Sequence, residues 1–206
     1  MSEPTSRSPR LLDITLLLFL LLGIGAGAAK GVDESEAPRF GYGLAVGYGY
    51  GVVPRDNQRG KDVGEVRYVA IEPHIRLGLA RYGDRGDWYR GHLEGLLGGT
   101  LLIESEPRSG HAGAGIVGLR YSIRLRNDLD LYGEGGIGVG SLHFELRDQD
   151  DGFNFFIHTA LGLRYPLNDR LSLTASTLWQ HVSNANSRLP NNGIDTVGWR
   201  LGIELH

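Results

Sequence analysis

Three side chains near the C-terminal end of this 206-residue chain, Ser183, His181 and Asp195, are of the types that serve as a nucleophile, its base and the orienter of that base. From Leu171 onward the sequence alternates with period two. Odd positions give Leu171, Leu173, Ala175, Thr177 and Trp179, and even ones give Ser172, Thr174, Ser176 and Gln180. That is a strand with one apolar face, to which Leu178 and Val182 are exceptions on the polar side. Continuing the odd series puts His181 and Ser183 together on the apolar face. They stand about 6.5 Å apart along the strand, a gap that an imidazole and a hydroxyl can close with a hydrogen bond. After a loop rich in Asn, Pro and Gly, a second alternating strand opens at Asp195 with its odd positions again apolar. Asp195 should therefore share the face of His181 across a hairpin, with opposed side chains within about 5 Å. The three groups line up for covalent catalysis by an activated serine. As residue types alone, a Ser and a His at an interface beside a loop need do no chemistry; the shared face and the spacing favour a site.

Eight segments have strand character: Phe40 to Val53, Val66 to Leu79, Trp88 to Glu104, Gly113 to Leu125, Leu129 to Phe144, Phe153 to Leu167, Leu171 to Asn184 and Asp195 to Leu205. Together they read as one continuous meander. They are long for a soluble sandwich and suit tilted membrane-crossing strands of about ten residues. Their faces are sharply divided. Phe153, Phe155, Ile157, Leu161 and Leu163 oppose Asn154, His158 and Arg164, while Val117, Leu119, Tyr121, Ile123 and Leu125 oppose Arg120, Ser122 and Arg124. Facing alone fits both a sandwich and a membrane barrel. Link length and aromatic placement separate them. Short links at Arg126 to Asp128 and Asn168 to Arg170 alternate with longer ones at Pro54 to Glu65, Glu145 to Gly152 and Ala185 to Ile194, with a middling one at Ala80 to Asp87. Tyr42, Tyr48, Tyr50, Trp88, Tyr89, Trp179 and Trp199 near strand ends would form interfacial girdles. The expected fold is all-β, an eight-stranded antiparallel transmembrane β-barrel of the outer-membrane type.

The inferred interior carries Glu72, His74, Arg76, Arg90, His92, Glu94, Arg120, Arg124, Glu134, His158, Arg164, Arg200 and Glu204. Both signs are present, and eight strands enclose only enough space for side chains, so a lumen of paired charges is expected instead of a pore. Gly41, Gly43, Ala45, Gly47 and Gly49 of the first strand should face inward and leave room for the long side chains opposite.

Arg7 and Arg10, an apolar run from Ile14 to Ile24 and small residues from Gly25 to Ala29 have the three parts of a secretory signal, so residues 1–29 are expected to be a leader and 30–206 the barrel. The alternative, a membrane anchor, needs about 20 apolar residues and the run is shorter. There is no cysteine, hence no disulfide or thiolate chemistry. The mean hydropathy is only -0.19, compatible with alternating strands. A net charge of -3 without a basic stripe argues against nucleic acid. Two G-x-G-x-x-G matches, Gly113, Gly115, Gly118 and Gly133, Gly135, Gly138, fall inside strand-like segments with no helix after them, which argues against nucleotide. His92, His111, His143 and His206 are scattered, with no pair at metal-ligand spacing, so neither metal nor cofactor is expected.

With both termini of the mature barrel at the periplasmic side, the seventh strand ends at the cell surface, and the trio lies in the outer leaflet. A reactive pair aimed into lipid suits an ester lipid that approaches sideways through the bilayer. The run His181, Val182, Ser183, Asn184, Ala185, followed by Pro190, Asn191, Asn192, Gly193, Ile194 and Asp195, resembles the signature of the outer-membrane lipid A 3-O-deacylases, the PagL family. The specific identity is confined to the last 30 residues or so. The resemblance implies Ser183 as nucleophile, His181 as general base and Asp195 as the acidic member, where the family usually has Glu. It implies backbone donors near Ala185 and Asn186 for the oxyanion, in a turn that Asn184 and Asn191 help position; the family tends to have Gly where Asn186 stands. The implied substrate is the 3-linked hydroxyacyl chain of lipid A in lipopolysaccharide, among outer-membrane lipids and without a metal. Arg188, in the same loop, is either a phosphate contact or an ordinary solvated arginine. Two rival readings are an outer-membrane phospholipase and a non-catalytic structural or adhesin barrel.

Overall fold

The computed structural model describes residues 40–52, 65–84, 87–106, 109–126, 129–146 and 149–206, and the expected leader lies outside them. The described residues form eight strands: β1 (Phe40–Val52), β2 (Glu65–Tyr82), β3 (Gly91–Glu106), β4 (His111–Arg126), β5 (Leu129–His143), β6 (Gly152–Asn168), β7 (Leu171–Ser183) and β8 (Ile194–Leu205). Each pairs antiparallel with the next, and β1 pairs with β8 to close the barrel, with Tyr42 opposite Leu205 and Val52 opposite Asp195. Closure follows from the alternation: each strand has an apolar outer face backed by a largely small or polar inner one, and a closed wall leaves no edge unpaired.

The apolar set points out and the polar set in. On β7 the even residues are buried, while Leu173, Ala175 and Thr177 are exposed. Leu97, Leu101, Val117, Ile137, Leu161, Leu163, Leu201 and Ile203 make the outer surface an apolar belt. The inward glycines of β1 act as packing space. A Cβ on Gly41 would lie 2.4 Å from Arg76, one on Gly43 2.2 Å from His74, and one on Gly49 2.3 Å from Tyr68.

The interior has two layers. From the end where Phe40 and Leu205 lie to the middle, buried arginines meet buried carboxylates. Arg120 bonds Glu134 at 2.8 Å and Glu204 at 2.5 Å, Arg76 bonds Glu94 at 2.6 Å, Arg164 bonds Asp130 at 3.0 Å, and Arg200 bonds Glu72 at 3.0 Å and Glu134 at 3.1 Å. Such groups are tolerated in a dry interior because each guanidinium has carboxylate partners. A void of about 40 Å³ among Glu72, His74, Arg120, Glu134, His158 and Arg200 has room for a few waters at most. The layer toward the opposite end is apolar, formed by Val66, Tyr68, Leu102, Leu142, Phe144, Phe156, Val182 and Ile194. The lumen is thus only half charged, and Val182, one of the two residues that break the alternation of β7, belongs to this apolar plug.

Two expected lumen residues lie elsewhere. Strand β3 starts at Gly91, not Trp88, because Asp87 nucleates a turn: its carboxylate accepts from the Asp84 amide at 2.8 Å, and its carbonyl accepts from the Arg90 amide at 3.1 Å. Arg90 is therefore exposed at the turn, beside Trp88, which is 85% exposed. Arg124 sits at the rim with its side chain 57% exposed and reaches in to pair with Asp130.

Candidate active site

The β7–β8 register sets His181 directly opposite Asp195, and His181 Nδ1 lies 2.9 Å from Asp195 Oδ1. Both stand on the outward face near the plugged end, with side chains 25% and 40% exposed. Because the carboxylate can only accept, Nδ1 carries the proton and Nε2 is left as the basic nitrogen. An Asp is long enough for this contact, since directly opposed residues already place their side chains within reach. Ser183, the last residue of β7, shares that face, partly buried and opposite Phe155 of β6. Among the described residues its hydroxyl makes no hydrogen bond, to His181 or to any other group. The structure brings His181 and Asp195 into contact and places Ser183 beside them without closing the third link.

Inward-facing neighbours fix these strand ends from behind. Val182 and Ile194 are embedded in the apolar plug. The Tyr68 hydroxyl, across the lumen on β2, donates to Gln180 Oε1 at 2.8 Å and shares a hydrogen bond with Thr196 Oγ1 at 2.7 Å. Gln180 precedes His181 and Thr196 follows Asp195, so a single hydroxyl ties both members of the pair. On the outer face the Trp179 ring stacks near His181, with centroids 6.2 Å apart and planes 18° from parallel.

The loop after Ser183 is held by its own asparagines. Asn184 donates its amide to Asn191 Oδ1 at 3.0 Å and its Nδ2 to the Arg188 carbonyl at 3.0 Å, while Asn191 Nδ2 donates to Asn186 Oδ1 at 3.0 Å. The Ser187 amide closes a turn on the Asn184 carbonyl at 3.1 Å. Within it Ala185 and Asn186 have φ of 53° and 62°, the signature of a type I′ turn. Left-handed backbone costs an alanine about 1 kcal/mol, and such strain tends to gather at functional sites. Among the described residues the amides of Ala185 and Asn186 donate to no other group. Arg188 is exposed, with its guanidinium beside Gly152.

Two contributors were not visible in the sequence as site residues. Tyr68 leaves only the trace of an inward-phase hydroxyl on β2. Gln149, in the β5–β6 loop, accepts the Gly193 amide at 2.9 Å and has no sequence signal at all. His111 and His143 are register partners with rings 5.0 Å apart, a proximity that their distance in sequence conceals. Among the described residues, however, no group of three or more His, Cys, Asp or Glu could hold a metal.

The sequence model of the lipid A 3-O-deacylase (PagL) family matches residues 71–204. The comparison with curated proteins gives no match. Among solved structures, Neisserial surface protein A (NspA) superposes with a TM-score of 0.55 at 10% identity, over 82% of this chain and 99% of that one. The outer membrane enzyme PagL gives 0.49 at 19% identity over 79% and 97%, and Ail, the attachment invasion locus protein of Yersinia pestis, 0.42 at 18% over 80% and 97%. The likeness to NspA is one of fold, the small closed barrel of outer-membrane proteins.

Proposed function

The chain belongs to the lipid A 3-O-deacylase (PagL) family, and on that footing we propose that it hydrolyses the 3-O-linked acyl ester of lipid A with Ser183, His181 and Asp195. The observation that carries the reading is the hydrogen bond from His181 Nδ1 to Asp195 on the outward wall, two positions along the strand from Ser183. In an outer-membrane barrel with the β7–β8 loop at the cell surface, that wall faces the leaflet where lipopolysaccharide resides. Residues 1–29 would then be a cleaved leader, and 30–206 the mature barrel.

Ser183 Oγ attacks the ester carbonyl while His181 Nε2 takes its proton. The link between them is open in the structure, and such links commonly tighten only with substrate bound. The carboxylate of Asp195 holds the imidazole in the required tautomer and stabilises the imidazolium as it forms. The amides of Ala185 and Asn186 are the donors available to the oxyanion. A donor of this kind is typically worth about 3–4 kcal/mol in the transition state. The departing sugar hydroxyl takes its proton from Nε2. Water, deprotonated by the same nitrogen, then cleaves the acyl-serine, so one ester and one water give one hydroxy acid and one alcohol.

The test is the mass of lipid A from cells expressing the wild type beside cells expressing Ser183→Ala. Loss of one hydroxyacyl chain, absent in the variant, is the expected result. Unchanged lipid A with released phospholipid fatty acid would replace this reading with a phospholipase, and no release from either lipid would leave a non-catalytic barrel.

A further inference from the structure

The β5–β6 loop reaches across to the reactive one. Gln149 is 1% exposed, forms an isolated β-bridge with Asn191, and accepts the Gly193 amide on Oε1 at 2.9 Å. The neighbouring Asp150 amide donates to the Pro190 carbonyl at 2.7 Å. Three of the four residues from Pro190 to Gly193 are thus engaged by a loop some forty positions earlier in the chain. The last of them lies against the base: a Cβ on Gly193, whose φ is 74°, would be 2.8 Å from His181 Cε1 and 3.4 Å from Nε2. Only a glycine backbone lets the loop approach the imidazole edge so closely.

Both ends of the latch dictate how its amides point. The Gly193 amide can only donate, so Oε1 of Gln149 must face it and Nε2 must face Asn154 Oδ1, 2.9 Å away. Asn154, itself fully buried, is oriented in turn because its Nδ2 donates to the Gly152 carbonyl at 3.1 Å. A carboxamide is therefore required at position 149. A carboxylate would set an oxygen against Asn154 Oδ1, and an apolar side chain would leave the Gly193 amide and Asn154 Oδ1 unpaired in a dry site.

Building on the serine-esterase reading above, we propose that Gln149 is a positioning residue for this reaction: it holds the Gly193 backbone against His181 and so fixes the imidazole in the orientation in which Asp195 holds Nδ1 and Nε2 is left for the serine. The site is a composite of two loops, and the β5–β6 loop acts on chemistry through His181 without touching the ester.

The experiment compares wild type with Gln149→Met, Gln149→Glu and Gln149→Ala in detergent micelles. It reads kcat and KM for lipid A and the rate at which a fluorophosphonate labels Ser183. Met preserves length and Glu preserves shape, so packing alone would spare both. We expect kcat and the labelling rate to fall about tenfold or more in all three, with KM nearly unchanged, since a misaimed base slows attack without weakening lipid contact. The heat-shifted band of folded barrel on cold gels should be retained. Gly193→Ala, which pushes on the imidazole directly, should reproduce the same split. Wild-type labelling rates in folded Met or Glu variants would overturn the proposal. Absence of labelling in the wild type itself would instead overturn the serine-nucleophile reading on which it rests.

Discussion

Replacing Asp195 with Asn keeps the size of the side chain and removes its charge. In the structure its carboxylate lies 2.9 Å from His181 Nδ1, so the imidazolium formed during attack would stand with its charge about 4 Å from the carboxylate charge. At an effective dielectric of about 20 that attraction is about 4 kcal/mol, and in water about 1 kcal/mol. The side chains are 25% and 40% exposed, so solvent screens part of it, and an estimate of about 2–3 kcal/mol lies between these limits. At 1.36 kcal/mol per factor of ten, kcat should fall about 30- to 160-fold. An Asn that offers its amide to Nδ1 would also favour the wrong tautomer and push toward the larger figure. KM should stay near the wild-type value, because in this scheme Asp195 acts on the imidazole and not on the lipid. Asp195→Glu keeps the charge and should lose far less. The assay is initial-rate release of hydroxy fatty acid from lipid A in mixed micelles. A kcat within threefold of wild type for Asp195→Asn, or a loss carried by KM, would refute the reasoning.

Three further outcomes follow from the interior. Tyr68→Phe removes the hydroxyl that ties Gln180 to Thr196 and leaves the buried Gln180 Oε1 unpaired, so stability should fall by about 1–3 kcal/mol with a partial loss of kcat; unchanged urea unfolding would count against the clamp. Glu204→Ala strips a shared carboxylate from Arg120 and Arg76, leaving them Glu134 and Glu94 in a dry interior, and the lost pairings should lower stability by about 3 kcal/mol, read by the same unfolding measurement. His206, beyond the last strand, is held below its ordinary pKa by burial and by the charges of Arg76 and Arg164. Its Nδ1 faces Arg76 at 3.2 Å and so must accept. As pH falls through the ordinary imidazole value of about 6.5 the unfolded chain takes up the proton first, so stability drops below that pH. Thermal unfolding between pH 7.5 and 5.5 should show a smaller acid loss for His206→Gln than for wild type, and equal losses would contradict the assignment.

Much of this molecule was legible because a strand's facing period is two. Parity alone put Ser183, His181 and Asp195 on one face, and the hairpin register then set His181 opposite Asp195. Charge parity likewise picked out Arg76, Glu94, Arg120, Glu134, Arg164, Arg200 and Glu204 as interior. Parity fails where a strand stops. Trp88, Tyr89 and Arg90 continue the alternation on paper, but the Asp87 turn takes them out of β3. It is equally silent about depth: Val66, Leu102, Leu142 and Val182 occupy inward positions that look like errors in the pattern until closure gathers them into one plug. Contacts across the lumen or between loops have no local signal. Tyr68 meets Thr196 across 128 positions, and Gln149 meets Gly193 across 44; only the closed barrel brings them together.

The most direct measurement uses purified protein in vesicles that contain lipid A and phospholipid together, with released fatty acids identified by mass spectrometry for the wild type and for Ser183→Ala. The account requires a 3-hydroxy acid from lipid A with the wild type, none with Ser183→Ala, and no phospholipid acid with either. Release that survives the loss of Ser183, or release from phospholipid alone, would contradict it.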